Sequence, residues 1–159
     1  DIDILAVRFP YCTEEIAGRP IKCDDILGEL EIEKKIIGVI CEVKTGKVYS
    51  DIFKDEKIYY AVKRLGFIDI DKYKSEIEEL KSNSVVNFGK NKKIVKILIA
   101  KKNYSSEKSK HIFIEMSKVV SFIKERFEDY SKTKTQDRLF FPSTLIQYII
   151  DDINKFNIL

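Results

Sequence analysis

Short apolar runs separated by polar stretches make up the first two thirds of this 159-residue chain. The run at residues 2–7, IDILAV, is short and apolar and predicts a strand, which Pro10 ends. The run at residues 36–41, IIGVIC, is continuously apolar, which is typical of a central strand covered on both faces. Gly46 predicts a turn directly after this strand. Residues 10–35 follow neither a strand nor a helix period and are interpreted as a surface insertion.

Two helices are predicted after the central strand. Asp55 can cap the first helix and Gly66 suits its C-terminal end, whereas Asp71 can begin the second. Apolar residues at helical spacing give each helix an inward face, formed by Ile58, Val62 and Leu65 in the first and by Ile77 and Leu80 in the second.

Strand character returns at residues 85–88, 94–100 and 112–116, with a turn at residues 89–91 between the first two. The last third has a helical pattern, and we expect its two apolar stripes to be core: Val119, Val120, Ile123 and Phe127 in one and, after Pro142, Leu145, Ile146, Ile149, Ile150 and Ile153 in the other. This order of elements predicts an α/β or α+β fold with a central mixed sheet flanked by helices.

The domain organisation follows from length and composition. At 159 residues and 44% hydrophobic, the chain can bury one substantial core, and it contains neither an internal repeat nor a linker rich in Gly, Ser or Pro. Residues 1–159 are therefore expected to form a single domain. Because a predicted strand begins almost at Asp1, we expect an upstream element to precede it.

The charge balance argues against a purely electrostatic nucleic-acid binder. The chain has 29 basic and 26 acidic residues, a formal net charge of only +3, so any nucleic-acid site must be a local patch. Lys90, Lys92 and Lys93 are candidate phosphate contacts if they share a face, although a solvated loop and strand edge is the favoured alternative. Three tyrosines that could stack on unpaired bases are expected instead to pack against the core: Tyr59, Tyr60 and Tyr104.

Several other kinds of site and setting are excluded or disfavoured. No apolar run approaches the roughly 20 residues that span a bilayer, so we expect a cytoplasmic protein without a membrane partner. The odd number and wide spacing of Cys12, Cys23 and Cys41 predict reduced structural cysteines. His111 is the single histidine, which excludes a His-based triad, and we expect it at the surface or a strand edge. The six glycines form no phosphate-binding loop.

The candidate chemistry lies at the end of the predicted central strand. The strand period of two places Glu42 and Lys44 on one face. Unpaired charges buried there cost several kcal/mol per ion, so they need each other, a metal or water. If the first strand lies alongside, Asp3 and Glu42 can converge, and two carboxylates with open positions suit Mg²⁺ or Mn²⁺. Lys44 could then orient an attacking water or neutralise charge on a phosphate.

The segments DILAV at 3–7 and IGVICEVKTG at 37–46 resemble the PD-(D/E)xK nuclease superfamily, which includes many restriction endonucleases and archaeal Holliday junction resolvases. In that family a strand bearing an Asp precedes a strand ending in Glu-x-Lys, and a helix follows. The resemblance implies a restriction endonuclease-like fold and Mg²⁺-dependent hydrolysis of phosphodiester bonds in DNA. It also implies that Asp3 and Glu42 are metal ligands and that Lys44 is the catalytic lysine.

The sequence departs from the family pattern around the first acid. Ile2 stands where the family has Pro, and the 39 residues from Asp3 to Glu42 are a long separation. Asp24 or Asp25 would give a more ordinary spacing, but both lie within the polar insertion, so Asp3 is preferred.

Two further hypotheses remain open at this point. The chain could be a nuclease-fold module that binds nucleic acid or a partner protein, including a second copy of itself, without cutting. Alternatively, Glu42 and Lys44 could form a structural ion pair in an unrelated α/β domain, worth about 0–1 kcal/mol if exposed.

Overall fold

The computed structural model describes residues 2–12, 15–16, 19–20, 28–30, 34–49, 52–104 and 110–136. Within these residues the fold is mixed α/β, with one five-stranded mixed sheet, a separate two-stranded hairpin and three helices. The strands are β1 (Ile4–Arg8), β2 (Glu15–Ile16), β3 (Arg19–Pro20), β4 (Ile36–Val48), β5 (Val85–Asn87), β6 (Lys92–Asn103) and β7 (Ile112–Glu115), and the helices are α1 (Asp55–Leu65), α2 (Lys74–Ser82) and α3 (Met116–Gln136). The predicted mixed sheet with flanking helices is confirmed. The predicted helix after Pro142 and the alternative acids Asp24 and Asp25 lie outside the described residues.

The sheet places β4 and β6 at its centre. β1 pairs antiparallel with β4, with Ile4 opposite Cys41, and β4 pairs parallel with β6, with Cys41 opposite Ile97. Both β5 and β7 pair with the other edge of β6, β5 antiparallel near its start and β7 parallel further along. The two central strands are joined through α1, α2 and β5, as a parallel pair requires a crossover connection.

The prediction that β4 is covered on both faces is confirmed. Ile40 belongs to the apolar cluster under α1 and α2, whereas Ile37 and Cys41 belong to a second cluster on the opposite face. The prediction of a turn at Gly46 is wrong, because β4 continues to Val48. The pairing with β6 shifts register between Lys44 and Lys47, so Gly46 lies in an irregularity of the strand rather than at its end.

Helix α1 has the predicted inward face and C-terminal stop. Ile58 and Val62 are buried, and Gly66 ends the helix with φ 75°, a left-handed conformation that favours glycine. The capping prediction is wrong, because Lys54 is the N-cap and Asp55 is the first helical residue. A carboxylate in that first turn still interacts favourably with the helix dipole.

Helix α2 begins three residues later than predicted, at Lys74 rather than Asp71. Asp71 lies in the preceding turn, where the Asp69 carboxylate accepts its backbone N–H. The inward face is as predicted, since Ile77 and Leu80 are buried.

The C-terminal end of α1 packs closely on β4 at Gly38. A Cβ atom built at Gly38 would lie 2.7 Å from Phe67 Cζ and 3.0 Å from Leu65 Cδ1. Only a residue without a side chain allows this approach without a shift of its neighbours. The contact fixes the position of α1 over the strand that carries the candidate site.

The core stripe predicted for α3 is wrong at two positions. Val120 and Ile123 are each 53% exposed. The half-buried face instead contains Met116, Val119 and Phe122, so the helix is rotated relative to the prediction. In the described part of the chain, no helix is long and apolar enough to cross a membrane.

Candidate active site

The structure brings Asp3, Glu42 and Lys44 together. Asp3 immediately precedes β1, and the pairing of Ile4 with Cys41 sets it beside the part of β4 that carries the other two residues. The Asp3 carboxylate accepts the backbone N–H of Val43 at 2.8 Å and a hydrogen bond from Lys44 Nζ at 3.2 Å. The strand adjacency on which the sequence argument depended is therefore present.

Glu42 is the buried centre of this cluster. Its side chain is 1% exposed, and each carboxylate oxygen faces a different ammonium group. Lys44 Nζ lies 2.6 Å from Oε2, and Lys57 Nζ lies 2.9 Å from Oε1. Burial of a carboxylate without partners would destabilise the folded protein by several kcal/mol, and the ion pairs with these two lysines offset that cost. Both lysine side chains remain about one third exposed, so the cluster opens to solvent.

Lys57 is a site residue that the sequence argument missed. It lies in the first turns of α1, and it reaches Glu42 because α1 packs across β4. One signal was available in the sequence. Lys57 precedes the buried Ile58 and lies four residues before the buried Ala61, so it borders the inward face of the helix.

Hydrogen bonds within the cluster stabilise the ionised forms of Asp3 and Lys44. The Val43 N–H, followed by Lys44, lowers the pKa of the Asp3 carboxyl below its usual range. The hydrogen bond to Glu42, supported by Asp3, raises the pKa of the Lys44 ammonium above its usual range. At neutral pH the pair is therefore a carboxylate and an ammonium.

Cys41 lies beside the cluster but points to the other face of β4. Burial, with smaller contributions from Asp3 and Glu42, raises the pKa of its thiol to about 11. The thiol is protonated at neutral pH and is a poor nucleophile. Cys41 is buried, which fits the predicted structural role, whereas Cys12 is exposed; neither is in a disulfide, and Cys23 lies outside the described residues.

Asp3 and Glu42 are the residues that could hold a hard divalent cation. Asp3 and Glu42 both contact the Lys44 ammonium, which shows that their carboxylates already surround one positive charge. Over the described residues, no group of three or more His, Cys, Asp or Glu side chains converges. A Mg²⁺ or Mn²⁺ ion would therefore take Asp3 and Glu42 as protein ligands and keep water at its other positions, as Mg²⁺ commonly does.

The candidate nucleic-acid contacts Lys90, Lys92 and Lys93 lie at the other end of the sheet. Lys93 is opposite Ile37 on β4, seven residues before Lys44 and thus roughly 23 Å away at about 3.3 Å per residue. Lys92 and Lys93 are neighbours on a strand and point to opposite faces, and their ammonium groups donate to the carbonyl oxygens of Phe67 and Leu30. These two residues therefore do not share a face, as joint contact with a phosphate backbone would require.

Two other predicted positions differ in the structure. His111 is 3% exposed, so the surface position is wrong; its Nε2 lies 2.9 Å from Asn103 Nδ2, and its ring packs against Phe53. The tyrosines were expected to pack on the core, yet Tyr60 is 63% exposed and Tyr59 is 42% exposed. These exposed rings lie on α1, next to the candidate site.

A scan of protein-family models finds no match to this chain. Searches of curated proteins and of solved structures find no similar protein either. The functional argument therefore depends on the geometry of the site.

Proposed function

We propose that this chain is a PD-(D/E)xK-type nuclease domain with a restriction endonuclease-like fold, which hydrolyses phosphodiester bonds in DNA with the help of Mg²⁺ or Mn²⁺. The observation that carries the proposal is the convergence of Asp3, Glu42 and Lys44 from two adjacent strands. The order of elements supports it, because the strand with Glu-x-Lys lies beside the strand that Asp3 immediately precedes and is followed by α1.

Each residue has a definite role in this proposal. Asp3 and Glu42 hold the cation, which when bound supplies Lewis acidity and a bound water of lowered pKa. Lys44, already held between the two carboxylates, donates a hydrogen bond to the attacking water or to a non-bridging oxygen of the phosphate. Lys57 balances the charge of Glu42 from the opposite side of the carboxylate.

The proposal is tested by incubating purified protein with Mg²⁺ or Mn²⁺ and single-stranded, duplex or branched DNA. Cleavage is expected from the wild type, and Glu42→Gln and Lys44→Met should each reduce the rate by roughly 100-fold or more. Glu79→Gln is the matched control, because Glu79 has the same acid-x-Lys spacing but is exposed on α2. Absence of cleavage on every substrate, or equal rates in all variants, would contradict the proposal.

A second candidate function is binding of nucleic acid or a partner protein without cleavage. The observation in its favour is that Lys44 and Lys57 already satisfy both oxygens of Glu42. A cluster that is neutralised by its own lysines can be stable without any metal. This alternative predicts salt-sensitive DNA binding that survives Glu42→Gln. Absence of both metal binding and DNA binding would leave Glu42 and Lys44 as a structural ion pair.

A further inference from the structure

A cleft between β1 and α1 opens directly beside the candidate site. Its volume is about 400 Å³, and it is lined by Ile2, Leu5, Glu56, Lys57, Tyr60, Ala61 and Arg64. Lys57 belongs to both places, because its ammonium group contacts Glu42. Anything bound in the cleft would therefore lie next to the phosphate that the site is proposed to cleave.

The α1 side of the cleft alternates basic and aromatic groups. Lys57, Tyr60, Ala61 and Arg64 lie at helical positions i, i+3, i+4 and i+7, so they share one face. On the β1 side, Ile2 and Leu5 pack against the main core and give an apolar wall. Tyr60 is 63% exposed, and its ring packs edge-to-face against that of Tyr59 at 5.7 Å between ring centres, so ring surface remains for a planar ligand. An open aromatic ring between cations is the arrangement that binds single-stranded nucleic acid.

The charges on the two sides of Tyr60 differ. A second cavity on its other side is lined by three carboxylates, those of Asp55, Glu56 and Glu78, against the ammonium of Lys81. That ammonium already pairs with Glu78 and Asp55. The cleft beside β1 is lined by two cations, Lys57 and Arg64, and by one carboxylate, Glu56. Lys57 already pairs with Glu42, so Arg64 is the cation that a phosphate in this cleft would contact.

We propose that this cleft binds an unpaired nucleotide of the DNA strand adjacent to the scissile phosphate. Tyr60 stacks on one face of the base, and Ile2 and Leu5 contact the nucleotide from the other wall of the cleft. Arg64 lies about 10 Å along the helix from Lys57 and contacts a phosphate there. Unpaired bases are required because a base within a duplex has no free face for the ring. The volume is that of a small-ligand site and does not admit a duplex. The inference rests on the proposed function, which assigns DNA as the substrate and places the scissile phosphate at the neighbouring site.

The test is fluorescence anisotropy of a labelled oligothymidine, with EDTA present so that no cleavage occurs. Tyr60→Ala should weaken binding by about 5- to 150-fold, whereas Tyr60→Phe should retain it, because the ring is kept. Arg64→Gln should weaken binding, and the slope of log K against log salt concentration should become smaller in magnitude by about one, as expected for the loss of one phosphate contact. Tyr11→Ala is the matched control, since Tyr11 is an exposed tyrosine that lines neither of these two cavities.

The outcomes separate this inference from the proposed nuclease function. If Tyr60→Ala and Tyr11→Ala bind equally, if a duplex of the same length is equally sensitive to Tyr60→Ala, or if the wild type does not bind, the inference is overturned. Cleavage by the wild type alongside Tyr60-independent binding would overturn only the inference. Tyr60-dependent binding without any cleavage in Mg²⁺ or Mn²⁺ would support the cleft and overturn the nuclease function.

Discussion

Lys57 on α1 and Glu42 on β4 form an ion pair of 2.9 Å between Nζ and Oε1, which links the first helix after the central strand to the buried carboxylate of the candidate site. Lys44 holds the other oxygen of the same carboxylate at 2.6 Å. On the proposed function, a divalent cation that binds Glu42 would share one of these oxygens with an ammonium group, and the two positive charges would repel each other. Lys57 would then compete with the metal for Glu42 as well as stabilise the metal-free protein.

Replacement of Lys57 by Met should strengthen Mn²⁺ binding. The substitution removes a positive charge from Glu42 Oε1, and an ion pair with a partly exposed lysine is worth up to about 1 kcal/mol, which corresponds to up to about fivefold in metal affinity. Calorimetric titration measures the change. Lys63→Met is the control, because it removes the same charge from the exposed face of the same helix. Equal or weaker binding in Lys57→Met would show that Lys57 does not compete with the metal.

Replacement of Gly38 by Ala should destabilise the fold. The new methyl group would overlap Phe67 and Leu65 at 2.7 to 3.0 Å, and overpacking of this kind typically costs about 1–3 kcal/mol. Urea unfolding measures the free energy. Gly46→Ala serves as the comparison, because no atom lies within 4 Å of a Cβ built there. An unchanged unfolding midpoint for Gly38→Ala would mean that α1 is not packed on β4 as described.

The Asp3 carboxylate should contribute stability that depends on pH. Its pKa is lowered in the folded protein, first by the Val43 N–H and then by Lys44, so the contribution is present above the ordinary Asp value of about 3.9. It is lost as the pH falls through the lower folded value. In EDTA, the wild type should be more stable than Asp3→Asn at pH 7, and the difference should shrink towards pH 2. The comparison isolates charge, because Asn can still accept the Val43 hydrogen bond. A difference that is constant between pH 7 and pH 2 would contradict this account.

The sequence was sufficient for the parts of the site that follow from local patterns. The continuous apolar run before Glu42 indicated a central strand, and the strand period placed Glu42 and Lys44 on one face. Asp3 joins the site only if two strands separated by a long insertion pair with each other. Periodicity does not determine which strands pair. The structure provides that pairing through Ile4 and Cys41.

The missed features depend on packing between distant elements. Lys57 reaches Glu42 only because of how α1 lies across β4, which Gly38 permits and which no local pattern reveals. His111 is buried because Phe53 and Asn103 surround it, although a lone polar residue at a strand start suggested the surface. The same strand period that identified Glu42 and Lys44, applied to the strand at residues 92–103, would have placed Lys92 and Lys93 on opposite faces.

The most direct test of the central claim is calorimetric titration of Mn²⁺ into the wild type and into Glu42→Gln. We predict binding by the wild type that is lost in the variant, because the substitution removes one of two carboxylate ligands while keeping the shape of the side chain. Equal binding in both proteins, or binding in neither, would contradict a metal site at Asp3 and Glu42.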